Sequence, residues 1–179
     1  PLVAVAGLRN RLARTVDGGQ SWHTLPVPWA EDEITALLWL PNGTLGVGTG
    51  RGRLYRSNDG GDSWIEGGDG LPANRAVLEL EVVGGSAENQ PPRFLAGTWI
   101  GLYVSDDGGQ NWAISILPEV NVRGIEIAVD PIDYDIAYAT GFSFDAGNIS
   151  GVVVRTTDGG ENWEEIWRDS TREVVNVIA

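Results

Sequence analysis

The 179 residues contain no cysteine, no methionine and no lysine. Without cysteine there are no disulfides, so packing alone must hold the fold, and a disulfide-stapled secreted mini-domain is excluded. The same absences leave no ammonium, thiol or thioether for acylation, oxidation or soft-metal binding. Positive charge is scarce: 12 arginines face 25 acids, for a net charge of -13. Nucleic-acid backbones and anionic membranes would be repelled by such a chain, which leaves neutral or cationic partners. No apolar run reaches the length of a membrane span, so membrane insertion is not expected. The chain opens on Pro1 rather than Met, so the lack of a leader says nothing about its compartment. His23 is the single histidine and has no imidazole partner; no metal and no cofactor are expected.

What the sequence does have is a repeat. Octapeptides ending at Trp22, Trp64, Trp112 and Trp163 read TVDGGQSW, SNDGGDSW, SDDGGQNW and TTDGGENW, sharing the pattern [ST]-x-D-G-G-x-[SN]-W. Their aspartates, Asp17, Asp59, Asp107 and Asp158, are separated by 42, 48 and 51 positions. That is about the length of one four-stranded propeller blade. Each position has a task in a tight hairpin connection. The carboxylate accepts hydrogen bonds from turn amides, the glycines supply positive φ, and the Ser or Thr hydroxyl closes the loop. The tryptophan starts the next strand and buries a large area there.

The stretches between the motifs repeat as well. First strands are expected at Ile34 to Leu40, Val77 to Val83, Gly124 to Val129 and Val174 to Ala179. Second strands fall at Leu2 to Gly7, Thr44 to Thr49, Arg93 to Thr98 and Ile136 to Gly141, third strands run into the boxes, and fourth strands leave from the tryptophans. Asn42-Gly43 signals a hairpin between a first and a second strand. The fold class is therefore all-β, a β-propeller of four-stranded antiparallel blades. Its expected divisions are blade 1 at 1–30 plus a closing strand at 173–179, blade 2 at 31–70, blade 3 at 71–118 and blade 4 at 119–172. Because the chain opens on a second strand and closes on a first, it has the phase of a closed four-bladed ring; part of a larger propeller is the alternative.

On these boxes, and on segments such as Gly50 to Trp64 and Ala128 to Thr140, the chain resembles the bacterial-neuraminidase-repeat, or Asp-box, propellers. Its blades look most like those of xyloglucanase-type and sortilin-type members, and photosystem assembly factors share similar ones. The resemblance implies an extracytoplasmic home (periplasm, secreted or cell surface) and a glycan or protein partner. It implies no single activity, because members include glycosidases, receptors and scaffolds. A homo-oligomer, or further blades of the same chain, is compatible with it. The sialidase Phe/Tyr-Arg-Ile-Pro segment is absent, and xyloglucanase-type hydrolysis needs two opposed aspartates in a cleft usually formed by two propellers.

In such a fold the loops from fourth to first strands and from second to third strands share one face, away from the boxes. Candidate ligand-binding residues on it are Trp99, Phe142, Phe144, Asp145, Arg51 and Arg9. The segment Phe142 to Ser150 is the oddest, lengthening one loop and presenting two aromatics and an acid to sugar rings or peptides; packing onto its own blade is the plainer reading. Glu79 and Glu126 fall at equivalent first-strand positions, with Leu37 and Asn176. With Asp145 they are the weak catalytic candidates, as an acid and base pair; solvated or arginine-paired acids around a wet channel are the plainer reading. Asp130, Asp133 and Asp135 suit turn chemistry better than a calcium loop. Binding or scaffolding is the expected role, with a xyloglucanase- or sialidase-like glycoside hydrolase module that needs further blades or a second propeller as the alternative.

Overall fold

The computed structural model of the chain describes residues 3–29, 31–40, 42–84, 92–118, 121–145 and 148–169, apart from the Asp145 side chain. Among them there is no helix and there are four antiparallel sheets. The chain is an all-β propeller arc in which each sheet is one blade.

The first blade holds β1 (Ala4–Leu8), β2 (Arg11–Thr15) and β3 (His23–Thr24), in that order across the sheet. The second has β4 (Ile34–Trp39), β5 (Leu45–Thr49), β6 (Leu54–Ser57) and β7 (Ile65–Gly67). The third has β8 (Val77–Val83), β9 (Arg93–Thr98), β10 (Gly101–Ser105) and β11 (Ala113–Ile114). The fourth has β12 (Val122–Val129), β13 (Ala137–Asp145), β14 (Asn148–Thr156) and β15 (Glu164–Asp169). The closing strand expected at 173–179 lies outside the described residues, as does Asn176.

Strand boundaries follow the sequence alternation closely. The turn at Asn42-Gly43 differs in detail from a two-residue hairpin. Gly43 N donates to Leu40 O at 2.9 Å and Leu40 N to Thr44 O at 2.9 Å, with Gly43 at φ 87. Only the glycine takes positive φ, the pattern of a three-residue loop closing on a bulge.

Blades stack in chain order, β1 facing β4, β4 facing β8 and β8 facing β12. The core is therefore three apolar seams between sheets. Leu12, Leu25 and Trp29 meet Val47 and Tyr55 in the first seam, Leu38 and Leu54 meet Leu80 and Trp112 in the second, and Val83 and Leu95 meet Ile127 and Trp163 in the third. Close approach is possible because second strands carry glycine where the next blade presses in. A Cβ on Gly97 would lie 2.4 Å from the Ile125 carbonyl oxygen.

The boxes close each third-to-fourth-strand turn with the same bonds. In the third, Ser105 Oγ donates to Asp107 Oδ1 at 2.8 Å, Gly109 N donates to Ser105 Oγ at 2.8 Å, and Asn111 donates from N (2.9 Å) and Nδ2 (2.7 Å) to the carboxylate. Asp17, Asp59 and Asp158 are held alike by Ser21, Ser63 and Asn162. These bonds favour the ionised carboxylate, so Asp17 and Asp59, bonded first by the Ser21 and Ser63 hydroxyls, lie well below the usual carboxylate range. Asp107, bonded first by the Asn111 amide, is lowered to about 2. At Asp158 burial pulls upward but is outweighed by Asn162 and Thr156.

Arginines tie the second, third and fourth boxes to the blade before each. Arg14 Nη1 donates to Gly60 O at 2.6 Å, Arg56 Nη1 to Gly108 O at 2.9 Å and Arg93 Nη1 to Gly159 O at 3.4 Å. The acceptor is the first glycine of the box each time.

The box tryptophans are not equal, which corrects the expectation that all four are buried alike. Three pack on the preceding blade: Trp64 meets Trp29 edge-on at 4.9 Å and donates to Pro26 O at 2.8 Å, while Trp112 (6% exposed) and Trp163 are buried in the second and third seams. Trp22 belongs to the first blade, where no described blade covers it, and is 46% exposed.

Candidate functional site

The turns joining β5 to β6, β9 to β10 and β13 to β14, and the entries to β4, β8 and β12, share one end of the arc; the boxes occupy the other. On the loop end, the third and fourth blades bring four residues together. Trp99, in the β9–β10 turn, lies over Gly124 of β12, where a Cβ would meet the Trp99 ring at 3.2 Å and the Phe142 ring at 3.7 Å. Gly124 takes φ 64, and its N–H donates to Trp99 O at 3.2 Å. Arg123 pairs across the ladder with Phe142 and sets its guanidinium 5.9 Å from the Phe144 ring centroid, within cation–π range. Trp99 is 53% and Phe144 42% exposed, while Phe142 is half-buried.

The segment from Phe142 to Ser150, expected as a lengthened loop, is instead a continuation of the sheet. β13 and β14 stay in register from Ala137↔Thr156 out to Asp145↔Asn148. Alternation is the physical reason: Ser143 turns inward and is buried, so the ladder pairs the backbone while Phe142 and Phe144, two residues apart, share the opposite face. The two aromatics do pack on their own blade's first strand, yet Phe144 keeps a wet face. The Asp145 side chain lies outside the described residues.

An apolar cleft of about 220 Å³ opens at the same seam, lined by Ile100, Leu102, Ile114, Ile116, Leu117 and Val122. Ile114 and Ile116 are exposed.

Arg9 and Arg51 are not drawn into this group. Arg9 sits in the β1–β2 turn at φ 52, its carbonyl accepting from Ile34 N at 2.6 Å. Arg51, in the β5–β6 turn, lines a cleft with Trp29, Asp32 and Arg53.

Glu79 lies within reach of the Glu126 charge. Burial raises the Glu79 carboxyl, and the Glu126 charge raises it further. Beside them Glu81 is raised more, to about 7, by burial and then by the Glu79 charge. Sequence reasoning passed over Glu81, although the alternation Glu79-Leu80-Glu81 puts both acids on one side of β8 with Leu80 in the seam. Asp130 Oδ1 accepts from Ile132 N at 2.8 Å and Asp133 N at 3.0 Å, a turn-closing role. Among the described residues no three His, Cys, Asp or Glu side chains converge as a metal site, and no helix is long and apolar enough to cross a membrane.

Residues 103–113, spanning the third box, match the family model of the BNR/Asp-box repeat. The chain thus carries an Asp-box repeat on a blade of a β-propeller, and the other three boxes repeat its pattern on the other blades. Among solved structures it is similar to a GH74 enzyme of Niastella koreensis, with a TM-score of 0.61 at 13% identity over 91% of this chain and 36% of that one. It is similar to YCF48 bound to a D1 peptide, with a TM-score of 0.54 at 16% identity over 94% and 65%. A protein of unknown function from Dyadobacter fermentans follows at 0.52 and 20%, over 87% and 57%. The chain thus spans 36% to 65% of the length of those chains. At these identities the likeness is one of fold. By sequence, no curated protein matches.

Proposed function

We propose that this propeller is a non-catalytic binding or scaffolding unit, extracytoplasmic in location, whose loop end takes a glycan or a protein segment at Trp99, Phe142 and Phe144. The observation that carries the reading is the exposed pair Trp99 and Phe144, held on rigid hairpins with Arg123 between β12 and the ring. Large apolar rings kept wet on stiff elements suit sugar faces or peptide side chains, and the apolar cleft beside Ile100 adds room for a side chain. YCF48, which shares the fold, is known in a peptide-bound form, which supports a protein segment as one class of ligand.

Calorimetric titration with cello- and xyloglucan oligosaccharides and with a panel of aromatic-bearing peptides tests this. Trp99→Ala and Phe144→Ala are each expected to weaken binding about tenfold or more, as loss of a central aromatic contact does, without altering the unfolding midpoint. Binding indifferent to both changes refutes the assignment. The second reading, a glycoside hydrolase module completed by further blades, draws support from the raised carboxyls at Glu79 and Glu81, which suit an acid catalyst. Turnover of xyloglucan that is lost in Glu81→Gln or Asp145→Asn would establish it instead.

A further inference from the structure

At each of the three seams the leading blade gives an arginine Nη1 to the first glycine of the next box and covers the second glycine. A Cβ on Gly61 would lie 2.5 Å from Leu25 Cδ1, one on Gly109 3.3 Å from Leu54 Cδ2 and one on Gly160 3.4 Å from Val83 Cγ2. The first box lacks both contacts. Gly18 and Gly19 are exposed, and a Cβ on Gly19 would meet only its own Trp22 ring. Among the described residues no arginine reaches the Gly18 carbonyl.

The opposite end of the arc carries the matching half. Arg155 stands just before Thr156 of its box, as Arg14 and Arg56 stand before Thr15 and Ser57. Its Nε and Nη2 bond Glu164, whereas Nη1 is the atom that makes the tie in the other seams. Trp167 pairs with Val153 across the ladder, as Leu25 pairs with Leu12. That is the position from which Leu25 reaches Gly61, and Trp167 there is 45% exposed.

Side-chain size matches the two ends to one another. Residues paired across the second and third strands share a face of the blade, and each seam sets one such group against another. In the second seam Gly46 and Gly48 face Phe94, Ala96 and Tyr103, and in the first Val5 and Gly7 face Leu45, Val47 and Tyr55. In the third, Leu95 and Gly97 face Ala137, Ala139 and Val154. Where the leading side gains a leucine, the facing side falls to two alanines and a valine, which keeps the seam filled without overpacking. On its open face the fourth blade has Tyr138 and Thr140, bulkier than any of these leading pairs. The open face of the first blade has Ala4, Ala6 and Ala13, smaller than any of the facing groups.

We propose that the open face of the fourth blade docks on the open face of the first blade of a second copy of this chain, Arg155 reaching the Gly18 carbonyl and Trp167 covering Gly19. The two faces of one arc do not meet, since Gly18, Gly19, Trp22 and Trp167 are all exposed. A contact between unlike faces either closes into a ring or runs on as a filament. Two arcs closed at both ends make one ring at the upper end of the roughly four to eight blades that propellers reach. The surface shares no residue with the Trp99 and Phe144 group.

Sedimentation equilibrium of the whole chain, from low to high micromolar concentration, tests this. A reversible equilibrium between one copy and two is expected, and hydrogen exchange at the Trp22 indole, assigned with Trp22→Phe, should slow as the dimer forms. Arg155→Ala removes a charge-assisted bond worth about tenfold, and a closed dimer holds it twice, so the dissociation constant should rise roughly hundredfold. Ala13→Tyr gives the first blade the bulk that Tyr55 supplies on the second and should overfill the contact, weakening it by about tenfold or more. Gln20→Asp should tighten it, because Asp62 at the same box position pairs with Arg14 at 3.4 Å. Far-UV circular dichroism at low concentration, where the arcs are apart, should show each variant as folded as the parent. Trp99→Ala should leave the association unchanged. A single copy at every concentration overturns the proposal, as does a dimer indifferent to Arg155→Ala and Gln20→Asp. A monomer whose Trp22 indole is protected means that the chain closes on itself, and growth past two copies means an open filament; either result overturns the closed dimer.

Discussion

Replacing Trp112 and Trp22 with alanine, one at a time, measures how much of this fold resides between blades. The two residues stand at the same position of the same motif, so local turn chemistry is matched. Trp112 is buried at the second seam and donates from Nε1 to Gly109 O at 3.0 Å. A tryptophan buries roughly 150 to 250 Å², and truncating one in a core costs about 3 to 5 kcal/mol once the cavity is included. Trp22 leaves 46% of its surface in water, so about half that area is at stake, and with no sealed cavity to create the expected loss is about 2 to 3 kcal/mol at most. Urea unfolding followed by far-UV circular dichroism gives both numbers, provided the slope with denaturant stays constant across the variants. Trp163→Ala should follow Trp112→Ala. Equal losses at Trp22 and Trp112 would refute the claim that the tryptophan acts through the preceding blade.

Glu81→Gln should stabilise the protein at pH 8 and do little at pH 5. The folded-state carboxyl is raised from 4.5 to about 7, so its ionised form is penalised above about pH 7 and the penalty fades as pH falls toward 4.5. The full difference corresponds to about 3 kcal/mol, and screening of a half-buried group reduces this to about 1 to 2 kcal/mol; a pH-independent gain refutes it. The box aspartates have the opposite sign, their lowered carboxyls adding stability above the ordinary carboxylate range that is lost in strong acid. Arg56→Ala removes the bond to Gly108 O and should cost about 1 to 2 kcal/mol, mostly retained in Arg56→Lys only if charge rather than fork geometry matters.

How far the sequence could be read depended on whether a feature was local. β8 and β9 fall where alternation put them, at Val77–Val83 and Arg93–Thr98, because each strand's pattern is written in its own residues. The segment from Phe142 to Ser150 was expected as a loop because it is longer than its counterparts in the other three units, whereas the added residues extend the β13–β14 ladder out to Asp145↔Asn148. The exposure of Trp22 was beyond reach, since it depends on what lies beside the first blade and not on the motif. The burial of Trp29 against Trp64 requires knowing that a box tryptophan reaches back one blade. Glu81 was legible and overlooked; comparing single aligned positions hid a neighbour two residues on.

The arginine ties have a consequence for biosynthesis. Arg14, Arg56 and Arg93 reach acceptors that lie 46, 52 and 66 residues further along the chain. Chains leave the ribosome from the N-terminus at roughly 5 to 20 residues per second. Each blade therefore waits several seconds with its guanidinium unmatched and its seam uncovered until the next box has emerged. The most recently made blade is always the vulnerable one, and a pause in translation just short of a box would prolong that exposure more than a pause anywhere else.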